Sequence, residues 1–327
     1  MAPCTARNPA RCGVYHLTTH QAELRGHPLK ILLTNDDGIH ASGLWAAARS
    51  LSAVGEVAVV APDREQSGVG ASMTLHAPVF AHQVPAEQYL LQYAPGDDTP
   101  PRSADAVFEP SGDAGLDLPN PINAWAVQGT PADSCILALE QLVNPKPDLV
   151  VSGINRGSNM GWDVIVSGTV GAAIQGFVRG YPTIAISVGS VQAPRYGLAA
   201  QVVAALAGKL GDAPQVSPPY FLNVNVPNEP AEKIAGVKIT RLGGRAYGES
   251  VRTEDSFGHR RYWISRNRAI LSGGDGTDIT EHKGNHITIT PMGLAFSTTD
   301  ERMALVQGLV DQAGILSSPA PAASAPA

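Results

Sequence analysis

The chain is 327 residues long, enough for one large domain or two with an ample core. Charged residues make up 16% and aromatics 6%, with 34 Gly and 26 Pro, which excludes a coiled coil, a collagen and an acidic disordered chain. Lys plus Arg at 23 against Asp plus Glu at 29 leaves a net charge of −6, so no broad cationic face is expected for DNA or an anionic membrane. No apolar run approaches the roughly 18 residues of a membrane span, and Arg7 and Arg11 stand without the apolar stretch of a signal peptide. A cytoplasmic location is expected. Three cysteines make no disulfide framework, and Cys135 reads as a small buried hydrophobe rather than a reactive thiol.

Residues 1 to 28 carry no sustained period and read as an N-terminal extension. Leu29 to Thr34 is a short apolar run, Gly43 to Val54 has helical spacing, and Glu56 to Ala61 is a Val-rich strand, which together predict a βαβ unit. Residues 82 to 121, rich in Pro, Asp and Gly, read as an insertion. A second series predicts helices over Thr130 to Val143, Gly168 to Gly180 and Tyr196 to Leu210, alternating with strands over Asp148 to Ser152, Thr183 to Val188 and Tyr220 to Val226. Thr130-Pro131-Ala132-Asp133 marks the start of the first of these helices, with a cap, a Pro at the first position and an acid in the first turn. From about Val237 the helical period gives way to Gly and β-branched residues, so 237–298 reads as a β-rich extension. Thr298-Thr299-Asp300-Glu301 resembles a capping box before Leu305, Val306, Leu309 and Val310, which predicts a C-terminal helix over 299–316. The last residues, 317–327, contain only Ala, Pro and Ser and read as a tail. The expected fold is α/β: a three-layer Rossmann-like core over 29–236 with a mostly parallel sheet, plus the smaller β-rich extension and the terminal helix.

Ligands of an open parallel sheet gather at the carboxyl ends of its strands, so the polar residues that follow each apolar run are the first candidates. Asn35-Asp36-Asp37-Gly38 follows the first strand, Pro62-Asp63-Arg64-Glu65-Gln66-Ser67-Gly68 the second, and Ser152 to Asn159 runs from the end of the third. Two adjacent carboxylates in a sheltered crevice repel unless a cation neutralises them, and oxygen donors suit hard Mg²⁺, Mn²⁺ or Ca²⁺. The same Asp pair also suits a helix cap or a turn, and Ser67 or Asn155 alone suits an ordinary turn. Ser167-Gly168-Thr169 precedes a helix, where free N–H groups hold a phosphate or Ser167 or Thr169 simply caps the helix. Neither a P-loop nor a Gly-x-Gly-x-x-Gly fingerprint is present, so Walker-type hydrolysis and dinucleotide binding both lose support. His282 and His286 are four apart outside a predicted helix, which argues against a zinc pair, and His40 beside the Asp pair suits a substrate contact or, more simply, a surface or turn residue.

Ile31-Leu32-Leu33-Thr34-Asn35-Asp36-Asp37-Gly38-Ile39-His40 resembles the opening of the SurE survival-protein nucleotidases. Val59-Val60-Ala61-Pro62-Asp63-Arg64 with Ser67-Gly68, Gly129-Thr130-Pro131 with Asp133, Val151-Ser152-Gly153-Ile154-Asn155 with Gly157 and Asn159, Ser167-Gly168-Thr169-Val170, Asn223-Val224-Asn225-Val226-Pro227, Gly276-Thr277-Asp278 and Ile287-Thr288-Ile289-Thr290-Pro291 are similar to family segments in the same order. The resemblance implies a metal-dependent phosphomonoesterase for nucleoside 5′- and 3′-monophosphates, with one divalent ion per subunit, Mg²⁺ or Mn²⁺. It implies Asp36, Asp37, Ser67 and Asn155 as metal ligands, with Asp36 and Asp37 also catalytic. Asn35, Gly68, Asn159, Ser167, Gly168 and Thr169 are the implied phosphate and substrate contacts, and the β-rich extension implies a homodimer or homotetramer. Val166 stands in place of a frequent Tyr and Trp162 in place of a common polar residue, departures that bear on base preference rather than on hydrolysis. Two rivals are a haloacid-dehalogenase-type phosphatase, which needs a second Asp where this chain has Gly38 or Ile39, and a nucleotide-binding or assembly module without chemistry.

Overall fold

The computed structural model describes residues 27–90, 118–212, 218–245, 247–256, 259–269, 273–294 and 300–312. Strand β1 (Lys30–Thr34), helix α1 (Ser42–Leu51) and strand β2 (Glu56–Pro62) form the βαβ unit that the apolar spacing predicts. There follow β3 (Phe80–Val84), the single-turn α2 (Glu87–Leu90), β4 (Ile122–Gln128) and α3 (Pro131–Leu137), which runs into a π-helical turn at Ala138–Leu142. Next come β5 (Leu149–Arg156), a 3-10 turn at Gly161–Ile165, α4 (Gly168–Val178), β6 (Thr183–Val188), α5 (Tyr196–Asp212) and β7 (Phe221–Val226). The remainder is β8 (Gly236–Ile239), β9 (Tyr247–Ser256), β10 (His259–Ala269), α6 (Asp278–Lys283), β11 (His286–Pro291) and α7 (Asp300–Gln312).

One sheet takes nine strands in the order β3-β4-β2-β1-β5-β6-β7-β11-β8. Its centre, from β4 to β7, is parallel; β3 and β11 run antiparallel to their neighbours β4 and β7. A parallel sheet must be covered on both faces, and the alternation of β1 shows how this is done. Ile31 and Leu33 pack into a cluster with Leu44, Trp45 and Leu51 of α1 and Val203 and Ala207 of α5. Leu32 faces the other way, with Val60, Val150, Cys135, Leu139 and Ala172, under α3 and α4. The three layers are therefore α1/α5, sheet and α3/α4. Burial pushes the Cys135 thiol up to about 12, so it packs as an inert apolar group.

The chain moves from β1 through β2 to β4 on one side and returns with β5 on the other side of β1, where Thr34 lies in register with Ser152. This reversal puts a topological switch point at the carboxyl ends of β1 and β5.

Several elements differ from the expectation. Strand β5 runs to Arg156 rather than Ser152, across a register shift between Ser152 and Asn155, so Asn155 lies within the strand end. Strand β3 and helix α2 occupy the start of the stretch that reads as an insertion, helix α6 lies inside the stretch that reads as β-rich, and β4 had no sequence reading. Strands β8 and β11 belong to the central sheet, while β9 and β10 make a separate two-stranded sheet, so 237–298 is not one appendage. Residues 1–26 of the expected extension, 91–117 of the insertion, Thr298 and Thr299 of the expected capping box, and the tail over 317–327 lie outside the described residues. The chain divides into two compact units, Met1–Met292 and Gly293–Ala327, and α7 belongs to the second. No helix among the described residues is long and apolar enough to cross a membrane.

Candidate functional site

The loop after β1 is built by Asn35. Its buried Nδ2 donates to the Gly38 carbonyl at 3.0 Å, and its Oδ1 accepts from the Gly38 N–H at 3.2 Å, closing a tight turn. Gly38 sits at φ +94°, and a Cβ there would come within 2.8 Å of the Arg64 carbonyl carbon, so only Gly fits. Ile39 N–H donates to the Pro62 carbonyl and Gln66 N–H to the Asp36 carbonyl, each at 2.7 Å. These bonds stitch the loop after β1 to the loop after β2. Asn35, an expected substrate contact, thus has its side chain committed to shaping the turn.

Asp36 is 3% exposed. Its Oδ1 accepts from the Thr169 hydroxyl in the first turn of α4. Gly168 permits this approach, because a Cβ at that position would lie 2.7 Å from the Asp36 Cβ and 2.9 Å from Oδ2. Burial raises the Asp36 carboxyl, the neighbouring Asp37 charge raises it further, and the Thr169 bond opposes both, leaving it at about 7. Burial also raises Asp37, against the Arg156 backbone N–H at 3.1 Å from Oδ2 and the Arg156 Nε at 3.2 Å from Oδ1. The same guanidinium donates from Nη2 to Glu65 Oε2 at 2.7 Å, and Glu65 Oε1 accepts from the Ser67 hydroxyl at 3.0 Å. Arg156 and Glu65 therefore tie the ends of β1, β2 and β5 together. Sequence reasoning assigned neither a role, although both stand inside the three polar segments.

Asn155 is buried, and its Nδ2 donates to the Gly157 carbonyl at 2.7 Å, which leaves Oδ1 as its acceptor. Ser67 and Gly68 are exposed on the β2 loop. Asn159 is placed differently from a free substrate contact: Nδ2 donates to the Ser187 hydroxyl at 2.9 Å, its N–H to Asn225 Oδ1 at 2.8 Å, and its carbonyl accepts from the Asn223 and Asn225 amides. Ser167 caps α4 by accepting from the Val170 N–H at 3.1 Å, while Thr169 faces Asp36. The cap reading of the Ser-Gly-Thr segment thus applies to Ser167.

The Asp36 and Asp37 carboxylates, with hydroxyl and amide oxygens on the loop after β2 and the end of β5, are a donor set of the kind that suits a hard divalent cation, and Asp36 lies against a helix N-terminus. Asp36 points the same way, since a buried carboxylate without a cationic partner is costly. Among the described residues no group of three or more His, Cys, Asp and Glu side chains gathers to hold a metal, so a cation here would depend on the hydroxyl and amide oxygens as well.

Comparison with known proteins gives the family. The family described as Survival protein SurE matches residues 31–249. The 5′-nucleotidase SurE of Heliobacterium modesticaldum is 38% identical over 293 residues, covering 89% of this chain and 94% of the relative. The 5′-nucleotidase SurE of Geotalea uraniireducens is 39% identical over 279 residues, with 85% and 98% covered. Among solved structures, the SurE protein from Aquifex aeolicus superposes with a TM-score of 0.65 at 32% identity, over 86% of this chain and 99% of that one. With that match over most of the sheet and all three polar segments, the chain belongs to the SurE family.

Proposed function

We propose that this chain is a metal-dependent phosphomonoesterase that hydrolyses nucleoside 5′- and 3′-monophosphates to nucleoside and phosphate. The observation that carries the reading is the meeting of Asp36 with the first turn of α4, through the Thr169 hydroxyl and the bare Gly168 backbone. A carboxylate pair attracts a cation and a helix N-terminus attracts an anion, and a phosphate beside two carboxylates requires the cation between them. Asp36, Asp37, Ser67 and Asn155 would hold one Mg²⁺ or Mn²⁺ per subunit. Once bound, that ion supplies charge neutralisation at the phosphoryl oxygens and a lower pKa for water. The Gly168 and Thr169 N–H groups at the start of α4 have no intrahelical acceptors and receive the phosphate oxygens, while the Val170 N–H is taken by the Ser167 cap. Arg156 keeps Asp37 in place through both of its oxygens, so the carboxylate meets the ion in a fixed orientation. An oxygen of the Asp pair orients the attacking water as general base. The relatives' names support the substrate class. The β9–β10 hairpin carries Val251, Tyr262, Trp263 and Ile264 in water and is the surface through which a homodimer or homotetramer forms in the cytoplasm.

The test is phosphate release from 5′-AMP, 5′-GMP and 3′-AMP in Mg²⁺ or Mn²⁺, with EDTA as control. Release that EDTA stops is expected, and Asp36→Asn and Asp37→Asn should each lose on the order of 10²- to 10⁴-fold in kcat. Near-normal turnover by both variants defeats the reading. A phosphoenzyme trapped on either Asp restores the haloacid-dehalogenase rival, and nucleotide binding without turnover restores the binding module.

A further inference from the structure

The 3-10 turn at Gly161–Ile165 leads directly into the cap of α4. In a 3-10 helix side chains three apart eclipse, so Trp162 and Ile165 share one side. Both stand in water, 63% and 73% exposed, while Asp163 and Val164 on the other side are buried. Val166, next in sequence, is 37% exposed and extends the apolar strip to the residue before Ser167.

This turn is held at both ends. Gly161 N–H donates to Asp278 Oδ2 at 2.8 Å and Trp162 N–H to the Gly244 carbonyl at 3.0 Å. Val166 and Ser167 N–H both donate to the Asp163 carbonyl at 3.2 Å, and Gly70 N–H donates to the Val166 carbonyl at 3.0 Å. The strip therefore runs between the loop that carries Ser67 and the N-terminus of α4, on backbone that cannot easily withdraw its side chains. An exposed indole on a tethered backbone, five residues before the α4 cap, is an open apolar surface with no occupant from the described chain.

We propose that Trp162 and Ile165 form the platform on which the nucleobase of the substrate lies. The inference rests on the nucleotidase reading, and deepens it by assigning the leaving-group preference. A phosphate held at Ser167–Thr169 leaves its ester substituent to extend out of the pocket, and the strip of Val166, Ile165 and Trp162 begins at that seat. Of the parts of a nucleotide only the base has flat apolar faces, and base–aromatic stacking tolerates any base because each has a π-face. The platform thus favours nucleosides over small sugars and alcohols as leaving groups while discriminating weakly among bases. Val166 adds apolar width without a hydrogen-bond handle, in keeping with that weak discrimination.

The experiment compares kcat/KM for 5′-AMP and 5′-GMP with that for ribose 5-phosphate, which presents the same phosphate and sugar without a base. The wild type is expected to prefer the nucleotides. Trp162→Ala should lower kcat/KM for 5′-AMP by roughly 5- to 100-fold, the range for loss of one base–aromatic contact, mainly through KM. Ribose 5-phosphate should stay within about 2-fold, Trp162→Phe should restore most of the 5′-AMP value, and Ile165→Ser should lower it in the same sense. An equal loss on both substrates overturns the proposal, since the turn would then serve only to place α4. So does an unchanged substrate ratio with a changed mass by light scattering, because a second copy would then cover the strip. Equal wild-type efficiency on 5′-AMP and ribose 5-phosphate also overturns the platform, yet leaves hydrolysis standing. No phosphate release by wild type from either substrate overturns the nucleotidase reading and the platform with it.

Discussion

Asp36 holds two demands in one carboxylate, being packed against a helix end and placed beside another acid. Its carboxyl titrates at about 7 in the folded chain against an ordinary 3.8, chiefly through burial. The fold therefore binds that proton more tightly than the unfolded chain does. Stability from this group is fully present below pH 3.8 and is lost as pH rises through 7. In EDTA, Asp36→Asn should accordingly flatten the decline in stability between pH 4 and 7 and gain on the order of 2 kcal/mol at pH 8, read by urea unfolding. Added Mn²⁺ should reverse the order of the two proteins, because only the wild type gains from binding the ion. A wild type as stable as the variant at pH 8 in EDTA refutes this account of Asp36. Gly168 makes a separate test. Gly168→Ala improves helix propensity, yet its methyl would meet Asp36 at 2.7 Å, so the carboxylate must move. The expected result is an unchanged or slightly raised Tm with at least a 10-fold fall in kcat/KM. Retained activity would show that the close packing is dispensable.

Between elements, the loop from β2 to β3 depends on Asp133 as much as on its own sequence. Asp133 closes the capping box with Thr130, accepting from its N–H at 2.9 Å while its own N–H donates to Thr130 Oγ1 at 3.0 Å. It also accepts from the Thr74 N–H at 2.9 Å and hydroxyl at 2.6 Å, and the Thr130 hydroxyl donates to the Ser72 carbonyl at 2.6 Å. One helix cap thus tethers the loop that carries Ser67. Asp133→Ala should cost about 1–3 kcal/mol and raise the Mn²⁺ concentration needed for half-maximal activity, whereas Thr74→Val should change the metal requirement with a smaller loss of stability. An unchanged metal requirement in both variants would separate the clamp from the site. The Thr130 cap was legible because Thr-Pro-x-Asp is a local pattern, though the return bond from Asp133 that closes the box was not, and β1, α1, β2, β6 and β7 were legible because their apolar periods follow directly from burial on both faces. Arg156 with Glu65 was not legible: the two lie 91 positions apart, and their ion pair exists only because β5 folds beside β1. Asn159 shows the converse, a polar residue in the right segment whose hydrogen bonds are taken by Ser187, Asn223 and Asn225. β4 was missed because its apolar alternation, Ile122, Ala124 and Ala126 inward, follows directly on a Pro-rich stretch that reads as loop.

Across the molecule, burying titratable groups makes stability depend on pH in two opposing directions. His282 lies on α6 with its ring against the backbone of Gly189, where a Cβ would come within 2.7 Å of Nε2. Burial pushes this imidazole down to about 4, against a smaller contribution from the Asn225 backbone, and Nδ1 has no hydrogen-bond partner among the described residues. Its folded pKa is below the ordinary 6.5, so stability from His282 is fully present above pH 6.5 and is lost as pH falls from there through 4. Between about 4 and 6.5 His282 therefore gains stability with rising pH while Asp36 loses it, and burial raises Asp37 and Asp278 in the same sense as Asp36. A bound cation holds Asp36 and Asp37 ionised and removes most of their proton uptake, which leaves the His282 slope exposed. Metal-loaded protein should therefore lose stability on acidification below pH 6.5 more steeply than metal-free protein. His282→Gln should abolish much of that acid loss: relative to wild type it gains roughly 1–3 kcal/mol at pH 4.5 compared with pH 7.5, whatever constant offset its altered packing introduces. Urea unfolding at the two pH values, with and without Mn²⁺, measures all four differences. An acid slope that is identical in wild type and His282→Gln would mean that protons taken up on unfolding go elsewhere, and that α6 is not where the fold meets acid.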